Sequence, residues 1–183
     1  MAEDIHHVIT GTIWPKLKDD VRDFRVFSRH DLACAAYFHI RRLLLVQPGW
    51  SCRATPPLSA NERRPPLPCP DLALFSDRKL MALFRFEFHL TPGMDGGFPT
   101  SVMNERMTAL RKTVENTGHS PPDASSGKGY MVAVHDTKEE WFYPDQAAWE
   151  KQSCFWLPVN SRGFGNYAEW HQKWERLARL SSR

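Results

Sequence analysis

Pro70-Asp71-Leu72-Ala73-Leu74-Phe75-Ser76-Asp77-Arg78-Lys79-Leu80-Met81-Ala82-Leu83-Phe84-Arg85-Phe86-Glu87-Phe88-His89 is the stretch whose reading decides the fold. Two apolar runs flank the polar triplet Ser76-Asp77-Arg78, which predicts paired strands at about 70–76 and 79–90 joined by a turn. Successive strand residues point to opposite faces. Phe84, Phe86 and Phe88 therefore share one side of the second strand, and Arg85, Glu87 and His89 share the other. Three phenylalanines imply a core on their side, and the Arg-Glu-His row implies a polar cleft on the opposite one. In the first strand Asp71 and Ala73 share a face, while Leu72 and Leu74 occupy the other. A carboxylate in so apolar a strand is expensive unless it is paired. Glu87 thus marks either a site or a structural ion pair with Arg85 or a neighbouring strand.

Upstream of the hairpin, Ser28-Arg29-His30-Asp31 opens the clearest helix, with Ser28 as N-cap and Asp31 at the capping-box position. Leu32, Ala35, Ala36, His39, Ile40, Leu43 and Leu44 follow at helical spacing, and Pro48-Gly49 ends the element. Trp50-Ser51-Cys52-Arg53-Ala54 reads as a first strand. Residues 55–70 carry six prolines and form a loop. Residues 4–27 read as one or two helical pieces broken at Trp14-Pro15. Downstream come a loop at 91–97, a helix at about 100–116, a polar loop at 117–129 and a buried-type strand at 130–135. A short helix over 145–152, capped by Asp145, an edge strand Phe155-Trp156-Leu157-Pro158-Val159 and an amphipathic helix from about Tyr167 complete the chain. The order predicts a single mixed α/β domain: an N-terminal helical segment over 1–27, a core over 28–160, and a C-terminal helix over 161–183 that packs on the core.

The 183 residues suffice for a real core, and 42% hydrophobic with 25% charged residues are those of an ordinary globular protein. A net charge of +3 permits nucleic-acid binding without demanding it, because the basic clusters are short: Arg41-Arg42, Arg63-Arg64, Arg111-Lys112 and the 173–183 tail. Cys34, Cys52, Cys69 and Cys154 form no C-x-x-C pair, so they read as reduced thiols, with Cys34 a small buried residue among alanines. His6, His7, His30, His39, His119 and His135 show no metal-ligand spacing. The start of the chain lacks an apolar signal core, and the longest aliphatic run, 43–46, cannot span a bilayer. A cytoplasmic protein with no membrane partner is expected. A homodimer or a larger protein complex is compatible with the sequence.

If the strands pair with Asp71 near Glu87, two carboxylates converge. Hard cations such as Mg²⁺ are held by one or two carboxylates plus phosphate oxygens, and a held cation can activate water for phosphodiester hydrolysis. Arg85 lies on the same face as Glu87 and His89, where a cationic group would contact phosphate.

Pro70-Asp71, a spacer of fifteen residues, then Glu87-Phe88-His89 resembles the PD-(D/E)-X-K motif of the restriction-endonuclease-like nuclease superfamily. The helix beginning at Asp31 resembles that superfamily's first core helix, and the helix at 100–116 and the strand at 130–135 fall where its fold would place them. The resemblance covers about 28–136. It implies a mixed central sheet flanked by helices, Mg²⁺ or Mn²⁺ as cofactor, nucleic acid as partner, and a metal-dependent nuclease (a hydrolase of phosphodiester bonds). Asp71 and Glu87 would be metal ligands and catalytic residues. Asp31 would be a third ligand or only a helix cap, and His89, standing where the pattern has lysine, would be the third catalytic residue. Arg85, Arg41, Arg42, Arg111 and Lys112 would contact nucleic acid. The alternative is a catalytically inactive member of the fold that binds nucleic acid or protein. A third reading is an unrelated α/β interaction protein in which Glu87 and Arg85 form a structural pair.

Overall fold

A computed structural model describes residues 4–46, 48–54, 70–90, 100–117, 127–136 and 146–181. Of the loops expected at 55–70, 91–97 and 117–129, residues 55–69, 91–97 and 118–126 lie outside the described residues, as do Cys69, His119 and Asp145, while Lys128 and Gly129 belong to a strand rather than a loop.

The described chain is a mixed α/β domain around one five-stranded sheet of order β1-β2-β3-β4-β5. Strands β1 (Trp50–Ala54), β2 (Leu72–Ser76) and β3 (Lys79–His89) form an antiparallel meander. Helix α4 (Thr100–Thr117) then crosses over, and β4 (Lys128–His135) and β5 (Cys154–Asn160) add in parallel. The β2–β3 turn has Asp77 at φ 49° and Arg78 at φ 68°. Two left-handed residues in succession make a two-residue turn whose twist suits a hairpin. One residue beyond it, the register slips at Phe75, which pairs with Leu80 while Leu74 pairs with Ala82, so Met81 forms a bulge.

Alternation along the strands creates two cores. Leu72, Leu74, Phe84 and Phe86 face α3 (Arg29–Leu43) and the N-terminal helices, with Tyr130, Val132, Val134, Leu157 and Val159 beside them. Trp170 and Trp174 of the C-terminal helix, Tyr167–Ser181, join this core. On the opposite face Ala73, Leu83, Met131, Ala133 and Trp156 lie under Met103, Met107, Leu110 and Val114 of α4. The phenylalanine face is thus the core side that its spacing predicts, with Phe88 partly buried at its end.

The N-terminal helix is not broken at Trp14-Pro15. Residues Ile5–Val8 (α1) continue through a π-helical turn, Ile9–Ile13, into α2 (Trp14–Arg22). Proline at 15 lacks an amide and would crowd the carbonyl four residues back, at Gly11. The wider π turn absorbs this, with the Trp14 amide donating to the Ile9 carbonyl. Helix α3 stops at Leu43, earlier than Pro48-Gly49. Its Ser28 cap forms as expected, with the Ser28 side chain accepting from the Asp31 amide. Cys34 is exposed, not buried, because α3 turns Leu32, Ala36 and Ile40 to the core and Cys34 away from it. Pro158 sits in the edge strand β5, where its carbonyl accepts the Trp14 indole N–H at 3.1 Å. Among the described residues no helix is long and apolar enough to cross a membrane.

Candidate functional site

The β3 alternation delivers Arg85, Glu87 and His89 to the α4 side of the sheet. The expected polar cleft is not open there. The α4 stripe seats on Ala73, Leu83, Met131 and Ala133, and the helix lies over the row. Glu87 is 3% exposed and Arg85 8% exposed. Arg106, next to Met107 on α4, donates from Nη1 to Glu87 Oε2. Arg85 donates from Nε to Glu87 Oε1 at 2.9 Å, and His89 Nε2 lies 3.3 Å from Oε2. Both oxygens of this carboxylate therefore face cationic or N–H partners.

Burial alone would push the Glu87 carboxyl up. The close approach of His89, the hydrogen bond from Arg85 and the charges of Arg85 and Arg106 outweigh it and hold the group down at about 2. On the neighbouring strand His135 is in register with His89 and buried at 1% exposure. Burial, with a smaller effect of the His89 charge, pushes His135 down to about 4, so it is neutral at pH 7.

Asp71 is placed differently. Its amide donates to the Phe84 carbonyl at 2.8 Å, and its Oδ2 accepts the Phe86 amide at 2.8 Å. The carboxylate thus serves as an acceptor for a β3 amide just ahead of the start of β2. Its Oδ1 is paired with Arg29 Nη2 of α3 at 2.7 Å. Asp71 is therefore tied to α3, while Glu87 is tied to α4. Asp31 is engaged in the capping box, its Oδ2 accepting from the Ser28 hydroxyl at 2.9 Å and the Phe27 amide at 3.1 Å. No hydrogen bond or ion pair links any two of Asp31, Asp71 and Glu87 to a shared partner among the described residues.

The basic positions divide. Arg41 and Arg42 are exposed at the end of α3, and the Arg42 guanidinium lies 5.4 Å from the Phe38 ring centroid. Lys112 is exposed on α4, whereas Arg111 is half-buried and donates to Gln152 Oε1 at 2.5 Å. Comparison with known proteins finds no matching family model, no matching curated protein and no matching solved structure.

The donor set does not fit a divalent cation. Among the described residues no group of three or more His, Cys, Asp or Glu side chains is placed to hold a metal ion. A cation at Glu87 would displace or crowd two guanidinium groups. Repulsion is about 4 kcal/mol for each pair of unit charges at about 4 Å and an effective dielectric constant of about 20. Two residues that set this electrostatics, Arg29 and Arg106, were not among the expected site residues. Arg106 falls three residues after Met103 and beside Met107, and an arginine flanking a buried stripe is the signal that marks it. Arg29 gives no comparable signal, because its partner Asp71 is forty-two residues away.

Proposed function

We propose that this chain is a non-catalytic nucleic-acid-binding module on a restriction-endonuclease-like fold. The observation that carries the reading is the closure of both carboxylates by built-in cations, Asp71 by Arg29 and Glu87 by Arg85 and Arg106. The order helix α3, meander β1–β3, crossover α4 and parallel β4 supports the fold assignment. On β3 the carboxylate of Glu87 stands between Arg85 and His89, the histidine occupying the position where the motif that the sequence resembles has lysine. Such a row retains the fold without assembling a hydrolytic centre. Exposed Arg41, Arg42 and Lys112, with a net charge of +3, supply contacts for a phosphate backbone.

The competing reading is the metal-dependent nuclease, with Asp71 and Glu87 as ligands of Mg²⁺ or Mn²⁺ and His89 in the lysine position. One assay separates the two. Labelled DNA and RNA are incubated with the protein at low salt, with and without Mg²⁺ or Mn²⁺, and followed for binding and cleavage. Salt-sensitive binding that is independent of metal, with intact nucleic acid, is expected. Metal-dependent cleavage that disappears in Glu87→Gln selects the nuclease instead. Absence of binding to either nucleic acid removes both in favour of a protein-interaction role.

A further inference from the structure

We infer that the nucleic acid taken by this module is single-stranded, and that it lies along the outer face of α3 with an unpaired base in the hollow beside it. The inference rests on the nucleic-acid-binding reading above and narrows it. Three observations converge on this face.

The first is the hollow itself. Between α3 and the β1–β2 side of the sheet lies a cavity of about 610 Å³, walled by Ala33, Tyr37, Ala54 and Leu72, with the Arg29–Asp71 ion pair and His30 as its polar groups. That volume is within the range of small-ligand sites, about 300–1,000 Å³. Apolar walls with an aromatic ring and a few polar groups suit the face and edge of a nucleobase.

The second is Phe38. It is 53% exposed, one of the few large apolar side chains on the described surface, and follows directly on Tyr37 of the cavity wall. Exposed aromatic rings are the stacking platforms of single-strand binders, because every base has a π-face whatever its sequence. In a duplex those faces are already occupied by their neighbours. The Arg42 guanidinium lies over the Phe38 ring, 5.4 Å from its centroid, and sets a cation at the platform.

The third is charge. Helix α3 carries Arg41 and Arg42 as exposed cations, its Arg29 being paired with Asp71, and a single acidic residue, Asp31, whose carboxylate is turned into the Ser28 capping box. Arg41 and Arg42 fall one turn beyond Phe38, so a strand stacked on Phe38 would run its phosphates over them. A strand entering from the Arg41 end would reach the cavity about 6 Å further along the helix axis, a single turn being about 5.4 Å.

The test is fluorescence anisotropy with labelled single-stranded DNA, single-stranded RNA and the blunt duplex of the same sequence, using the full chain. Tighter binding of at least one single strand than of the duplex is expected. Phe38→Ala should weaken single-strand binding about fivefold or more, the lower end of a lost base stack, and leave duplex binding unchanged. Ala33→Trp, which fills the cavity, should act in the same direction. Phe38 is exposed, and an unchanged melting temperature in Phe38→Ala establishes that the loss is local. Preference for the duplex, or single-strand affinity indifferent to both substitutions, overturns this inference and leaves the nucleic-acid reading standing. No binding to any of the three probes overturns both. A difference between the DNA and RNA arms assigns the sugar.

Discussion

Arg106 of α4 hydrogen-bonds Glu87 of β3 beneath the helix–sheet interface, and the same carboxylate takes a second guanidinium from Arg85. Glu87 thereby becomes a pin between α4 and the central strand. A buried carboxylate with two guanidinium partners is satisfied electrostatically and geometrically, and that arrangement costs far less than the same carboxylate alone. The opposite side of the sheet has its own pin, Asp71 with Arg29, which ties the head of β2 to the first turn of α3.

Removing the anion from the first pin should be the more damaging of two truncations. Glu87→Ala leaves Arg85 buried beside an empty position and is expected to cost roughly 3–5 kcal/mol, the range for breaking a buried pair. Arg106→Ala leaves Glu87 with Arg85 and His89 and should cost about 1–2 kcal/mol, since Arg106 is itself partly exposed. Urea unfolding of the two variants measures the order, and a larger loss for Arg106→Ala contradicts it.

Acid should weaken the fold in two stages. His135 is held neutral by burial, its value pushed from 6.5 down to about 4, so the unfolded chain takes up its proton first. Its contribution is full above about pH 6.5 and is lost as pH falls towards 4. Glu87 is lowered from 4.5 to about 2, so its contribution is full above about pH 4.5 and is lost between there and pH 2. The second stage corresponds to stability on the order of 3 kcal/mol. Unfolding free energies measured from pH 7 to pH 2 should fall across both windows. Glu87→Gln should flatten the lower window and leave the upper one.

Ser28→Ala should destabilise α3 by about 1 kcal/mol, because it removes the acceptor for the Asp31 amide and one partner of the Asp31 carboxylate. Differential scanning calorimetry should show a lowered melting temperature. An unchanged transition shows that the cap contributes nothing.

The thiols should separate by access. Cys34 is exposed, whereas Cys154 is fully buried and burial pushes its thiol up to about 11. With a chromogenic disulfide reagent at pH 7.5, Cys34 should react in the folded protein and Cys154 only on unfolding. Prompt modification of Cys154 in the native protein contradicts the packing under α4.

Much of the sheet was legible because its signals are local. Alternation in 79–90 gives the two faces of β3, and the turn triplet gives the hairpin. Pro158 marks β5 as an edge, and the β1 residues follow from their flanking proline and glycine. The errors arose where a distant partner decides. Burial of the Arg85 and Glu87 row depends on α4 settling over it, and strand periodicity carries no information about which helix covers a face. The partner of Asp71 depends on where α3 starts relative to β2. Cys34 shows a smaller version of the same problem: its alanine neighbours are consistent with burial, and only the rotation of α3 sets which of them face the core. The π turn at Ile9–Ile13 has no residue signature beyond Pro15, whose strain can be resolved by a break or by a widened turn.

The most direct measurement is a Mn²⁺ titration of the unmodified protein, followed by the paramagnetic signal of free Mn²⁺ and by calorimetry. With guanidinium groups on both carboxylates, no binding up to millimolar metal is expected, and nucleic-acid affinity should be the same with or without the ion. Stoichiometric Mn²⁺ binding that is abolished by Glu87→Gln and by Asp71→Asn contradicts the closed-carboxylate account.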